Sequence, residues 1–326
     1  MKELNLKGIN GEVIIYDDIA VKGLADSLDS LYKRIDFSKV SSLDNIILDA
    51  YASATIEGAV TTVDKVKEAL KRKSYDKSTK MATNCVRFIQ GVSKLRFSED
   101  WLLDCWRGVV EGVCENTDVL GYKYRSGMVY VGNHTPAKVD SIQSCMDSLF
   151  NYIVLADNNP FIVSAISHFY FVYVHPFCDG NGRTARILSS KILYDKGYMN
   201  IFKIPVSNAI MNSVNYYYKW IKICECTMSV GGITCIDITP FISYMLSVYE
   251  YAFNSVLKGD YSELEVGIFN LIKKHAGAEI TVRKVSDIFK ISESKARDTL
   301  NNMVASGTLV KRREVNKYYY RVNAFI

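Results

Sequence analysis

His175-Pro176-Phe177-Cys178-Asp179-Gly180-Asn181-Gly182-Arg183-Thr184-Ala185-Arg186 is the stretch that organises this 326-residue chain. One apolar run, Phe161 to Val174, leads into it and a second, Ile187 to Tyr194, leads out. The polar dodecapeptide therefore reads as a turn between two buried helices. Proline disfavours helical geometry in the residue before it, so the incoming helix stops at His175. Glycines on either side of Asn181 permit the backbone angles of a turn, and a new helix starts at Gly182 or Arg183. The first-turn amides of that helix lack intrahelical partners and its dipole is positive there, which makes a cradle for phosphate. Arg183 and Arg186 sit three apart on one helix face, and guanidinium forks grip phosphate oxygens in pairs. Asp179, at the lip, would repel phosphate unless Mg²⁺, held by one carboxylate, phosphate oxygens and water, lay between them. His175 is the one residue of the stretch whose unperturbed pKa leaves it basic and largely neutral at pH 7. It suits removal of a proton from an attacking hydroxyl.

Each piece has a plainer reading taken alone. A histidine before proline is a buried or capping residue, Gly-Asn-Gly is a turn, and Arg-x-x-Arg is a solvated helix face. Phe177 reads as a core plug either way. The conjunction in fixed order is what argues for chemistry. It resembles in full the signature of the Fic family, His-x-Phe-x-(Asp/Glu)-Gly-Asn-Gly-Arg-x-x-Arg, with Cys178 at a variable position. The resemblance implies an adenylyltransferase that moves AMP from ATP onto a hydroxyl of a target protein. It implies His175 as general base and Asp179 as the Mg²⁺ ligand. Gly180, Asn181 and Gly182 would form the anion hole, and Arg183 and Arg186 would hold the triphosphate.

Other segments extend the resemblance. Ser53-Ala54-Thr55-Ile56-Glu57-Gly58 looks like the family's inhibitory motif, with Ser53, Glu57 and Gly58 at its defining positions. Physically, Glu57 paired with Arg186 would occupy the fork that an outer phosphate needs. The stretch from Arg125 to Pro136 alternates apolar residues between glycines and reads as a short β-hairpin. In Fic relatives such a flap overhangs the active site. Met128, Val129 and Tyr130 would dock an extended target segment by strand addition, and Val131, Gly132, Asn133 and His134 would approach the nucleotide. Tyr217 and Tyr218 resemble a tyrosine pair that flanks the adenine. Where relatives commonly carry an Asn a few residues later, this chain has Glu225, a departure on the base side of the pocket.

Helical patterns dominate the rest. They cover 20–34, 42–57, 62–71, 81–96, 98–114, 138–156, 159–174, 183–196, 207–225 and 239–257, while only 13–16, the flap and the extreme C-terminus read as strand. The expected fold is mainly α: a Fic-type helical bundle with one β-hairpin flap, divided as 1–95, an N-terminal region with the inhibitory helix, and 96–257, the catalytic domain. A small winged helix-turn-helix domain over 258–326 completes it. From Leu264 onward the chain carries 12 Lys/Arg against 6 Asp/Glu, so its net charge of +5 is entirely C-terminal. Helices over 264–275, 282–289 and 292–306 and a strand hairpin over 309–322 suggest the winged helix. Ser292 would cap the third helix. Lys295, Arg297, Asn301, Asn302, Lys311, Arg312 and Arg313 would be exposed, making DNA a candidate partner; protein docking is the alternative role.

With 48% hydrophobic and 23% charged residues the composition is that of a globular protein. Its longest apolar run is too short to span a bilayer, and the first residues lack the pattern of a signal peptide. Eight cysteines without a Cys-x-x-Cys pair fit free thiols in a reducing, cytoplasmic setting better than disulfides or zinc. The expected partners are ATP, with Mg²⁺, and a protein presenting a hydroxyl, with no membrane; a homo-oligomer is a candidate assembly. Two further readings stay open: a hydrolase that removes AMP, with Glu57 aligning a water, and a DNA-binding regulator that senses nucleotide.

Overall fold

The computed structural model describes residues 1–72, 76–92, 95–114, 123–129, 134–258, 264, 268, 271–272, 279–305, 309–314 and 317–322. In chain order the described elements begin with β1 (Lys2–Lys7), β2 (Val13–Tyr16), α1 (Asp18–Lys33), α2 (Ser42–Ile56), α3 (Val63–Lys71), α4 (Lys77–Val92) and α5 (Glu99–Val110). They continue with α6 (Val139–Leu155), α7 (Pro160–Val174), α8 (Asn181–Asp195), α9 (Val206–Asn212), α10 (Val214–Cys224), β3 (Thr227–Val230), β4 (Ile233–Asp237) and α11 (Thr239–Lys258). Then come α12 (Val282–Phe289), α13 (Glu293–Ala305), β5 (Leu309–Glu314) and β6 (Lys317–Val322). Two units result: 1–211 with 217–257, and 212–216 with 258–326.

Helix α7 is the centre of the first unit. Asn159 caps it by accepting the Phe161 N–H at 2.9 Å, and Pro160 fills the first turn, where an N–H would have no partner. Apart from Pro160 and Val172 every residue of α7 is buried, so the helix must be covered on all sides. Helices α1, α6 and α8 pack against it. Helix α8 packs in turn against α2 and α5, and α4 lies against both of those. The N- and C-terminal ends of the segment 161–194 thus stand inside a helical bundle, and the polar turn between them opens at its surface.

Strands add what the helical pattern does not announce. A four-stranded sheet has the order β1-β2-β4-β3, with β2 and β4 parallel and the outer pairs antiparallel. Of these only β2 is anticipated by sequence. In β1 only Leu4 and Leu6 are buried, one face of a pleated strand. The β3–β4 hairpin turns on Gly231 and Gly232, both at positive φ, the geometry of a two-residue hairpin loop.

Helix boundaries move for local reasons. Helix α4 starts at Lys77 because Asp76 accepts the Thr79 N–H at 2.9 Å. The single helix expected over 207–225 is two, α9 and α10, parted at Ser213, where Asn and Ser side chains compete with the helical backbone. The first part of the flap region, 125–129, is irregular rather than strand, and its centre, 130–133, lies outside the described residues.

In the second unit, Ile268, Ile280, Val285, Leu300, Leu309 and Tyr320 form a separate core. Of the helix expected over 264–275, only Leu264, Ile268, Leu271 and Ile272 belong to the described residues. Ser292 caps α13, accepting the Lys295 N–H at 3.2 Å.

His168 on α7 binds neighbouring helices through both ring nitrogens: Nδ1 lies 2.8 Å from Ser189 Oγ and Nε2 2.9 Å from Tyr217 Oη. Burial, aided by the Arg186 charge, pushes its pKa down to about 3. The unfolded chain takes up this proton near pH 6.5 and the folded chain does not. The resulting stability is therefore complete above about pH 6.5 and is lost as pH falls towards about 3. Urea denaturation is expected to show ΔG falling by roughly 1.4 kcal/mol per pH unit for this proton. His168→Gln should lessen the slope by that amount; an unchanged slope would overturn the assignment.

Candidate active site

The turn after α7 is held from three directions. His175 ends the helix in a left-handed conformation (φ 52°, ψ 62°), with its N–H on Phe171 O at 3.0 Å. Arg125, 3% exposed, donates through Nε to His175 O at 2.8 Å, through Nη1 to Gly127 O at 2.9 Å and through Nη2 to Ala137 O. Its main-chain N–H adds a bond to Pro176 O at 2.9 Å. Phe177 is the core plug expected, stacked on Trp106 at 4.2 Å and 5°. Trp106 also donates its indole N–H to Asp179 O at 2.9 Å. Neither Arg125 nor Trp106 is marked by a sequence motif; both act as scaffolding whose partners are main-chain carbonyls.

Gly180 takes positive φ (79°), and a methyl group there would collide with Val110 Cγ1, so only glycine fits the turn. Helix α8 begins one residue sooner than expected, at Asn181. The Asn181 side chain does not point to an anion: Oδ1 accepts the Phe177 N–H at 3.0 Å and Nδ2 donates to Phe177 O at 2.8 Å. It closes the loop. What the stretch offers an anion is the main-chain N–H groups of Asn181 and Gly182 at the helix start, the Gly180 N–H being taken by Asp179 Oδ1.

The two arginines are almost wholly buried, 1% and 5% exposed for Arg183 and Arg186. Arg183 donates to Val109 O and Asp179 Oδ1, both at 3.2 Å. Arg186 donates through Nε to Ser53 Oγ at 2.8 Å and through Nη2 to Ser53 O at 2.9 Å and Glu57 Oε1 at 2.7 Å. Arg183 Nε and Arg186 Nη1 remain buried without a hydrogen-bond partner. Buried cationic donors left unpaired are costly, and an anion would satisfy them.

Glu57 is delivered by the end of α2. The helix stops at Ile56, Glu57 is its cap, and Gly58 takes positive φ (88°), letting Ala59 N–H return to Ala54 O at 3.0 Å. A methyl group on Gly182 would collide with Glu57 Oε1, which places the carboxylate over the first turn of α8. Burial works against the Arg186 charge, but Glu57 outweighs it and holds the guanidinium pKa above its ordinary value.

Glu57, His134, His175, Gly182, Tyr217 and Tyr218 line one cavity of about 510 Å³. His175 Nδ1 faces Val172 O at 3.2 Å. A carbonyl only accepts, so Nδ1 carries the hydrogen and Nε2 is left as the basic nitrogen. Burial pushes the His175 pKa down to about 4, so the ring is neutral at pH 7. Tyr217 spends its hydroxyl on His168, while Tyr218 donates to Ile56 O at 3.3 Å. His134 pairs through Nδ1 with Glu225 Oε1 at 3.0 Å.

Asp179 stands at the lip of the cradle, with a side chain 48% exposed and Oδ1 engaged by Arg183 and the Gly180 N–H. No group of three or more metal-binding side chains exists among the described residues. A single carboxylate suits Mg²⁺, which takes phosphate oxygens and water for the rest.

Of the docking residues expected in the flap, Met128 is exposed and Val129 half-buried, and neither lines the cavity. Tyr130, Val131, Gly132 and Asn133 lie outside the described residues. In the second unit Asn301 is not free on the surface: its Oδ1 accepts from Lys311 Nζ at 3.0 Å. Arg312 is engaged by Glu279 at 2.9 Å and Glu314 at 3.1 Å. Lys295, Arg297, Asn302 and Arg313 are exposed as expected. No described helix is long and apolar enough to cross a membrane.

Residues 96–193 match the Fic/DOC family model. Over 79 residues the chain is 38% identical to Protein adenylyltransferase Fic of Nematostella vectensis, covering 23% of this chain and 18% of the relative. It is 25% identical over 238 residues to Protein adenylyltransferase Fic of Drosophila mojavensis, covering 69% and 44%. The chain thus spans less than half the length of these relatives. Its fold is that of a Fic family protein from Desulfovibrio desulfuricans G20 (TM-score 0.63, 20% identity, 94% of this chain and 95% of that one). Fic-1 (residues 134–508) of C. elegans also shares it, with TM-score 0.58, 18% identity, and 74% and 73% covered.

Gly182→Ala tests the geometry directly. The added methyl meets the carboxylate end of the Glu57 side chain and, at 3.3 Å, Arg186 Nη1. The variant should fold, and its structure should show Glu57 turned off Arg186 Nη2, beyond hydrogen-bond distance. Retention of the 2.7 Å pair would contradict the placement.

Proposed function

We propose that this chain, which belongs to the Fic/DOC family through residues 96–193, transfers AMP from ATP to a hydroxyl side chain of a target protein. The observation that carries the reading is one cavity holding a neutral imidazole beside a helix start with unpaired buried guanidinium donors. The phosphates lie along the 181–182 amides, and Arg183 Nε and Arg186 Nη1 take oxygens of the outer phosphates. Mg²⁺, when bound at Asp179, neutralises phosphate charge.

The target oxygen attacks the α-phosphorus, the bond from that phosphorus to the bridging oxygen breaks, and pyrophosphate leaves. The hydroxyl proton passes to His175 Nε2. Arg125 fixes the base by holding its carbonyl, and the Val172 carbonyl fixes its tautomer. Glu57 holds the basal state off. Its carboxylate stands over the first turn of α8, where phosphate would lie, and like charges at that separation repel. Glu57 also shares the cavity with His175, which supports a second reading in which it aligns a water that removes AMP.

With α-labelled ATP and a cell lysate, Glu57→Gly is expected to raise protein labelling at least tenfold, about the effect of one charge-assisted bond. His175→Ala in that background should lower labelling by about 10²–10⁴; unchanged labelling would remove His175 as base. On a pre-modified target, the second reading requires Glu57→Gly to lose AMP removal. A base with a pKa of about 4 is active above that value, so kcat/KM for transfer should be flat from pH 5.5 to 8. An acid limb centred near 6.5 would contradict the buried, neutral imidazole.

A further inference from the structure

Helix α10 runs along one wall of the cavity and presents Tyr217, Tyr218, Ile221, Lys222 and, just past its end, Glu225. Seven residues separate Tyr218 from Glu225, about 10 Å along a helix, which is roughly the reach of a nucleoside. At the near end Tyr218 touches Ile56 O, one residue before Glu57. At the far end His134 is fixed from both sides. Its Nε2 lies 2.8 Å from Tyr173 O, an acceptor only, so Nε2 donates. Its Nδ1 lies 3.0 Å from Glu225 Oε1. Glu225 is itself seated on the last turn of α10, its N–H bonded to Ile221 O at 3.1 Å. The two side chains are 11% and 18% exposed. One carboxylate oxygen is therefore spent on the histidine. Glu225 lines the cavity, and among the described residues none donates to its other oxygen, Oε2. A carboxylate oxygen can only accept, so Oε2 is free to take an N–H from a ligand in the cavity.

We propose that Glu225, held in place by His134, reads the base of the bound nucleotide by accepting an N–H from an exocyclic amino group. Adenine presents such a group at C6. Hypoxanthine, identical in shape, presents a carbonyl there, and two acceptors facing each other repel. The site thus selects amino-bearing bases and rejects their oxo counterparts. The proposal rests on the reading of the cavity as a nucleotide site; Glu225 is the specificity determinant and His134 a positioning residue.

The full chain carrying Glu57→Gly, in EDTA, is titrated calorimetrically with ATP, ITP and tripolyphosphate. ATP is expected to bind about tenfold tighter than ITP, the effect of one hydrogen bond to a charged group. Adding Glu225→Gln, whose amide both donates and accepts, should bring ATP and ITP within about twofold while tripolyphosphate affinity stays unchanged. His134→Ala should lower the ATP-over-ITP ratio in the same way. Equal affinity for ATP and ITP before the Glu225 change, or a ratio that survives Glu225→Gln, overturns the proposal and leaves the nucleotide site standing. Absence of binding by either nucleotide overturns both, and tripolyphosphate binding in the double variant separates base reading from a loss of folding.

Discussion

A helix with no polar side has to be surrounded, and α7 imposes that condition on the whole first unit. Thirteen of its fifteen residues are buried, so the bundle is built by whatever amphipathic helices can cover it. Its polar continuation, 175–186, cannot follow into that interior, and it emerges as a turn whose shape is set by what lies beneath. Phe177 on Trp106 fixes the floor and Arg125 the rim. The reactive groups are thereby carried by a turn braced on the buried bundle rather than by a free loop.

The interaction between Arg186 and the end of α2 follows the same logic. A guanidinium buried at 5% exposure must be answered by acceptors. Ser53 answers with two oxygens, and Glu57 answers with charge. Sequence separation of 129 residues between Glu57 and Arg186 is bridged because α2 packs directly on α8. The carboxylate therefore reaches the first turn of α8 without leaving its own helix cap.

Legibility in the sequence follows period and local chemistry. The apolar runs around the dodecapeptide, the prolines and the glycines locate α7, the turn and α8 to within two residues. The pairing of Glu57 with Arg186 was readable only because both sit in motifs. The part played by the Asn181 side chain is not legible, because its buried position commits the amide to Phe177 and leaves only its main-chain N–H for an anion. Trp106 and Arg125 carry no local signal, because their partners are carbonyl oxygens that every residue has. The sheet was missed for a different reason. Strand β3 is exposed throughout and β4 half so, so no alternation marks them, although the Gly231-Gly232 pair between apolar residues was a usable hairpin signal. The pair of His134 with Glu225 joins residues 91 apart, and no spacing rule anticipates it.

The parallel pairing of β2 with β4 also bears on how the chain is made. Val13, Ile14 and Ile15 pair with Cys235, Ile236 and Asp237, and Asp17 N–H, at the cap of α1, bonds to Thr239 Oγ1 at 2.7 Å. During synthesis β2 leaves the ribosome more than 200 residues before its parallel partner β4 exists. At 5–20 residues per second that is a wait on the order of 10–40 seconds with one sheet edge open. Closing so long a loop belongs to the late, slow part of folding. Strand β2 thus keeps one edge open until β4 is made, and the sheet closes late.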